Sequence, residues 1–382
     1  MTPAERYLLL GLRLDRHVEG IVDSYYGPAE LKTEAESGDP VAPSQLAADG
    51  AALLAELEDG WLRDLVLGLE TYARVLAGEP ISYSDEVERC YGVRPARIDR
   101  SVYEQVHEEL DRLLPGEGSL ADRREAWREQ NRVDPQKLMP VMRDVLAEAR
   151  RRTRELFGLP DGEELLLEEV HDEPWWAFNY YQGNRRSRVV VNVDVTTTYD
   201  DLLELCCHEG YPGHHTERAT KEVALVEERG QLEETINMVP TPQSVLAEGI
   251  AETAMDMLGE EAREATLAIL RSYGVEYDHE RARAIKDALQ PIRGLGVDVA
   301  LHIHEDGASE DDAVAYAMKW GARTEARARQ GVRFVTDPTW RAYAITYSAG
   351  GELALAYHRN EPARFKRLLT ENVRISELAA AR

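Results

Sequence analysis

The sequence predicts a mainly α-helical protein with a small β-sheet, and three observations carry that expectation. Apolar residues recur at helical spacing through almost all of the first 160 residues. Between about residues 164 and 193 the pattern changes to short runs rich in valine and aromatic residues, which reads as strand. Helical periodicity then returns and holds to the carboxyl terminus, with interruptions at Asp306-Gly307 and Thr336-Asp337-Pro338. At 382 residues the chain is long enough to bury a sizeable core. The change of pattern after Gly158-Leu159-Pro160 separates a helical scaffold or lid, residues 1–160, from a second region, residues 161–382, within one continuous unit.

Taken in order, residues from Glu5 to about Tyr26 read as one helix with a leucine-rich face, ended by Tyr26-Gly27-Pro28. Asp39-Pro40 to Pro43 is a turn. A long helical pattern follows from about Ser44 to Ala77, with Gly60 as a break, and Gly78-Glu79-Pro80 closes it. Further helices are expected over Val102–Leu114, Leu120–Asn131 and Pro135–Phe157. Glu164–Val170 reads as a short strand. The stretch from Pro174 to Tyr181 is the most aromatic in the chain, and Gly183-Asn184 is a hairpin turn. Arg188–Val193 is the clearest strand. Leu202, Leu203, Leu205 and Cys206 then have the spacing of a buried helix face, with Tyr199-Asp200-Asp201 before them as a cap.

That helix leads into His208-Glu209-Gly210-Tyr211-Pro212-Gly213-His214-His215, which holds three of the ten histidines. Neutral imidazole is the commonest protein ligand for zinc. A glutamate beside a ligand histidine is where a hydrolytic zinc enzyme keeps its general base. The spacing departs from the usual pair four residues apart. A step of seven on a straight helix rises about 10 Å, too far for one ion. The chain must therefore fold back over Gly210–Gly213 for His208 to share a metal with His214, or with His215 as the alternative. Three protein ligands and one water make a catalytic zinc site, so a carboxylate from a second helix is expected as the third ligand. The competing reading is a helix, a turn and a histidine pair exposed by chance.

These residues resemble the HExxPGHH signature of the domain-of-unknown-function 885 family, whose mostly uncharacterised bacterial members are regarded as zinc peptidases. Leu14–Pro28 is similar to an amino-terminal segment of some members. Val297-Asp298-Val299-Ala300-Leu301-His302 resembles the family's D-x-G-x-H element, with Ala300 where glycine is usual. Tyr347-Ser348-Ala349-Gly350 resembles its Y-x-x-G element, without the usual P-G-Q-A before it. The resemblance implies a gluzincin-like zinc-hydrolase scaffold binding one Zn2+ and leaves the substrate open. It implies His208, His214 and Glu248 as ligands, because Glu248-Gly249-Ile250-Ala251-Glu252 looks like the third-ligand helix of gluzincins. Glu252, one turn on, would accept the spare N–H of a ligand histidine. Glu209 would be the general base. Tyr347 and His302 are candidates for the donor that stabilises the oxyanion. By the same analogy the strand over Val189–Val193 would be an edge that pairs with substrate backbone. Asn179 and Tyr180 are candidate substrate contacts, and Arg293 is a candidate for a substrate carboxylate.

A net charge of −26 argues against nucleic acid and anionic membrane as partners. No signal peptide or long apolar run is legible, so the expected location is the cytoplasm. Cys90, Cys206 and Cys207 form no disulfide framework, and core packing is the reading for them. The expected activity is hydrolysis of an amide in a short peptide. Two alternatives stay open: a metal-dependent hydrolase or lyase of a non-peptide substrate, and a non-catalytic protein stabilised by its metal.

Overall fold

A computed structural model describes residues 1–172 and 176–382 of the chain, so Trp175 lies outside the described residues. The first part comprises α1 (Pro3–Asp15), β1 (Val22–Tyr25), α2 (Ala29–Glu36), α3 (Pro43–Glu56), α4 (Trp61–Leu76), α5 (Tyr83–Tyr91), α6 (Arg100–Leu113) and α7 (Leu120–Gln130). The middle comprises α8 (Pro135–Phe157), β2 (Glu164–Val170), β3 (Ala177–Tyr181), β4 (Arg186–Asn192), α9 (Asp201–Glu209), α10 (His214–Lys221) and β5 (Ile236–Met238). Then come α11 (Pro242–Ser272), α12 (His279–Leu289), α13 (Leu295–His304), α14 (Glu310–Gly321), α15 (Glu325–Thr336), α16 (Ala344–His358), α17 (Pro362–Thr370) and α18 (Ile375–Ala380). The protein is mainly helical with small sheets.

The single helix expected from Glu5 to Tyr26 is instead a helix followed by a strand. Thr2 starts α1 with a capping box: its hydroxyl accepts the Glu5 N–H, and the Glu5 carboxylate accepts the Thr2 N–H. The helix stops at Asp15, whose carboxylate takes the N–H groups of Gly20 and Val22 at 3.2 and 3.1 Å. β1 then pairs antiparallel with β5. That partner lies far along the chain, so local periodicity could not reveal it. The break expected at Gly60 separates α3 from α4. The helix α5 was not anticipated; Ser82 caps it by accepting the Asp85 N–H at 3.1 Å.

The second sheet has the order β2-β4-β3, with β4 parallel to β2 and antiparallel to β3. This overturns the expectation of an edge strand at Val189–Val193. β4 is central and paired on both sides, whereas β3 is an edge among the described residues. One face of β4 presents Val189 and Val191 to a buried cluster with Val141 and Val145 of α8 and Leu202 and Cys206 of α9. The sheet thereby anchors the helix that ends in His208 and Glu209.

Residues 1–160 contribute to each of three buried clusters among the described residues. α1, α3 and α4 pack with Ile236 and Met238 of β5. α5 and α6 pack with the carboxyl-terminal helices, and α8 packs under the sheet. Residue 160 thus marks a change of local pattern within interleaved packing. At the centre α11 and α16 cross backbone to backbone. A Cβ on Gly249 would lie 2.6 Å from the Gly350 carbonyl oxygen, and one on Gly350 would lie 2.6 Å from that of Val245. Only glycine permits this approach. No helix among the described residues is long and apolar enough to cross a membrane.

Candidate metal centre

α9 ends at Glu209 and α10 begins at His214, so residues 210–213 make the reversal that the spacing requires. The Gly213 N–H donates to the Cys207 carbonyl at 2.9 Å. A side chain at Gly213 would overlap the carbonyl oxygens of Cys207 and His208, so the turn closes this tightly only with glycine there. The reversal stacks His208 and His214 edge to face, with ring centroids 4.7 Å apart. Cys206 and Cys207 point into the core, and burial pushes both thiols above their ordinary range.

α11 brings Glu248 to the two imidazoles. Its Oε2 lies 3.5 Å from His208 Nε2, and its Oε1 lies 3.6 Å from His214 Nε2. One donor atom from each residue falls within 4.8 Å of the others. Donors on a tetrahedral ion with bonds near 2.0–2.1 Å are separated by about 3.3 Å, and each Glu248 oxygen stands close to that distance from one of the two imidazoles. The Tyr343 hydroxyl, at the start of α16, donates to Glu248 Oε1 at 2.6 Å. Glu248 Oε2 is buried and has no hydrogen-bond partner. An ionised oxygen left unpaired in the interior is costly, and a cation at this point would satisfy it. The residues present therefore fit a divalent ion, and two imidazoles with one carboxylate are a donor set of catalytic zinc.

The electrostatics agree with the geometry. Burial opposes charge on His208 most, His214 adds to the effect, and the imidazole is lowered to about 4. Burial also opposes charge on His214, but the bond to Glu248 and its charge outweigh it and raise the group to about 9. Burial would raise Glu248, yet His214, His208 and Tyr343 together bring it down to about 2. Glu209, 8% exposed, is raised to about 7, chiefly by burial, with the charges of Glu248 and Asp23 adding and His214 opposing.

The other candidate residues divide into those near this cluster and those apart from it. Tyr347 is 37% exposed, yet it stands edge to face with Tyr343 at 5.4 Å. Burial and the charges of Glu248 and Glu209 push its hydroxyl up. Asn179 donates to the Glu209 carbonyl at 2.6 Å and so holds the end of α9. Tyr180 points to the opposite face of the sheet, where the Arg188 guanidinium lies 4.9 Å from its ring centroid. Glu252 Oε1 is 4.0 Å from His208 Nδ1, beyond hydrogen-bond reach, and its other oxygen is ion-paired with Arg293. Arg293 is thereby paired with Glu252 beside the metal cluster.

His302 is not a neighbour of Glu209. It faces a separate surface cavity of about 490 Å³ with Asp312, Tyr316 and Trp320, pairs with Asp306 at 3.3 Å and tilts against Tyr316. Asp298 and His302 lie one turn apart on α13, so both meet Tyr316 of α14, Asp298 in the interior with Tyr103 and His302 at the more exposed end of the helix. His215 also leaves the cluster. It is fully buried, with Nδ1 2.8 Å from Ser187 Oγ and Nε2 3.1 Å from Glu163 Oε2. Successive helical residues point about 100° apart, so His214 and His215 serve different neighbours. Tyr343 and Glu163 were missed in the sequence. Tyr343 had a signal, since it lies one helical turn before Tyr347; Glu163 had none.

No family model matches the chain, and no curated protein matches it. Solved structures with a similar fold include "the putative lipoprotein from Colwellia psychrerythraea", with a TM-score of 0.53 and 15% identity over 92% of this chain and 57% of that one. Another is "a putative lipoprotein of unknown function from Shewanella oneidensis", with a TM-score of 0.53 and 13% identity over 95% of this chain and 76% of that one. The chain spans 57% of the length of the first neighbour. At these identities the likeness is one of fold alone.

Proposed function

We propose that the protein is a zinc-dependent metallohydrolase of gluzincin-like architecture that cleaves short peptides, as the resemblance to the domain-of-unknown-function 885 family implies. The observation that carries the reading is the buried set of His208, His214 and Glu248, with an unsatisfied Glu248 oxygen and a second acidic group, Glu209, beside it. When bound, zinc supplies Lewis acidity to water and to the substrate carbonyl. His208, His214 and Glu248 hold it, and Tyr343 fixes the Glu248 carboxylate by its hydrogen bond. Glu209 takes a proton from the water as oxygen bonds to the carbonyl carbon. It then gives that proton to the amine nitrogen as the carbon–nitrogen bond breaks. A buried carboxylate with affinity for protons near neutrality suits both transfers. Tyr347 is the donor to the oxyanion, and His302 no longer competes for that role. The proposal includes the cytoplasmic location expected from the sequence; the lipoprotein description belongs to the fold neighbours.

Elemental analysis should find about one zinc per chain, and a peptide-library screen supplies the substrate. Glu209→Gln should then keep its zinc and its thermal stability while losing roughly 10²-fold or more in turnover. Near-wild-type turnover in the zinc-loaded variant refutes Glu209 as the base.

A further inference from the structure

We propose that Asp23 receives the α-ammonium group of the substrate, so that the enzyme acts on short peptides at a free amino terminus. The inference rests on the peptidase reading and adds its substrate class. Asp23 lies on β1, where the register with β5 slips: Val22 faces Met238 and Ser24 faces Asn237. Such a bulge re-aims a side chain, and bulges recur beside active sites for that reason. The strand is tied to the metal helix just here. Asn237 donates to the Ser24 hydroxyl at 3.1 Å and accepts from Arg218. Arg218 stands one turn after His214 on α10. Asp23 is therefore held beside the face of α10 that carries His214.

The Asp23 carboxylate is partly buried and makes no hydrogen bond or ion pair with any described residue. The Arg218 guanidinium, whose charge acts most on Asp23, donates to Asn237 and makes no ion pair with the Asp23 carboxylate. The charge of Asp23 is felt by Glu209 and Tyr343, and Asp23 feels those of His214 and Glu248. It is thus close enough to act by its charge on the general base and the metal cluster, without belonging to the ligand set. A carboxylate left unpaired in a cleft is costly until a cation meets it. A peptide placed with its first amide carbonyl at the metal cluster carries its ammonium group one residue's reach away, which is the cation this position lacks.

The test compares two metal-binding probes on zinc-loaded protein by calorimetry: leucine hydroxamate, and its neutral twin with a hydroxyl in place of the α-amine. The ammonium probe should bind roughly 10- to 100-fold more tightly, the range of a charge-assisted hydrogen bond. Asp23→Asn should bring the two probes to within about threefold of each other, with zinc content and melting temperature held. Asp23→Ser serves the same purpose if the asparagine variant misfolds. Equal binding of the two probes to the wild type, or binding of neither, overturns the inference while zinc content still supports the metal centre. A wild type without zinc overturns the peptidase reading and this inference with it.

Discussion

Two neighbouring histidine sites in this molecule are built from the same residue types and end in opposite states. Around His215 every valence is spent. Both ring nitrogens are bonded, and Glu163 also accepts from Tyr211 at 2.7 Å and from Arg150 at 2.7 Å. Around His214 the protein leaves something over: Glu248 Oε2 has no partner, and two imidazoles crowd one carboxylate. A saturated polar network holds the fold, because breaking it strands a buried group. An unsaturated one is poised for a ligand. The difference teaches that residue type and sequence neighbourhood do not assign a histidine its role. The direction of its side chain from the helix does.

The strongest way to break the comparison is to exchange the losses. His214→Ala should abolish zinc binding, an effect beyond the roughly 10- to 100-fold expected from removing a supporting residue, and should leave the fold standing. His215→Ala should keep zinc and lose about 2–4 kcal/mol of stability, because Glu163 and Ser187 lose their shared buried partner. Zinc titration and denaturant unfolding of both variants check this; lost zinc in a folded His215→Ala protein would erase the distinction.

The next effect is smaller. Tyr343→Phe removes the hydroxyl that orients Glu248 and should weaken zinc roughly 10-fold, by competition with a chelator, with little change in melting temperature. Unchanged affinity would mean that Glu248 needs no such support.

The saturated network predicts a pH dependence of its own. Burial would raise Glu163, but the bonds from His215, Tyr211 and Arg150 outweigh it and bring the carboxyl down to about 2. Its folded value thus lies below the unfolded value of about 4.3. The stability it contributes is complete above that unfolded value and is lost as the pH falls towards 2. Unfolding curves should therefore show wild type losing more stability than Glu163→Gln between about pH 4.5 and pH 2. Parallel losses would show that the network does not hold the charge. The smallest effect is at His302: His302→Ala should leave zinc and turnover unchanged and stability within about 0.5 kcal/mol, because its contacts lie at a separate exposed cavity.

Much of this protein was written in local pattern. Helices α3, α4, α7 and α8, the break at Gly60 and the strand β2 follow from periodicity and from the placing of glycine and proline. The histidine cluster and the need for a reversal at Gly210–Gly213 follow from spacing, since no straight helix brings residues seven apart to one ion. Tertiary structure decided what spacing leaves open. Whether β4 is an edge or a centre depends on which strands flank it, and strand pairing is set by distant partners. The turn from α9 to α10 sent His214 to Glu248 and His215 to Glu163, although the two residues are adjacent in the chain. The close crossing at Gly249 and Gly350 set Tyr343 on Glu248, and the pairing of β1 with β5 tied the strand of Asp23 to α10 through Asn237 and Arg218. A sequence fixes which groups a chain can offer and how near neighbours repeat along it. Which groups meet is decided by packing between segments far apart, and local periodicity carries no record of that.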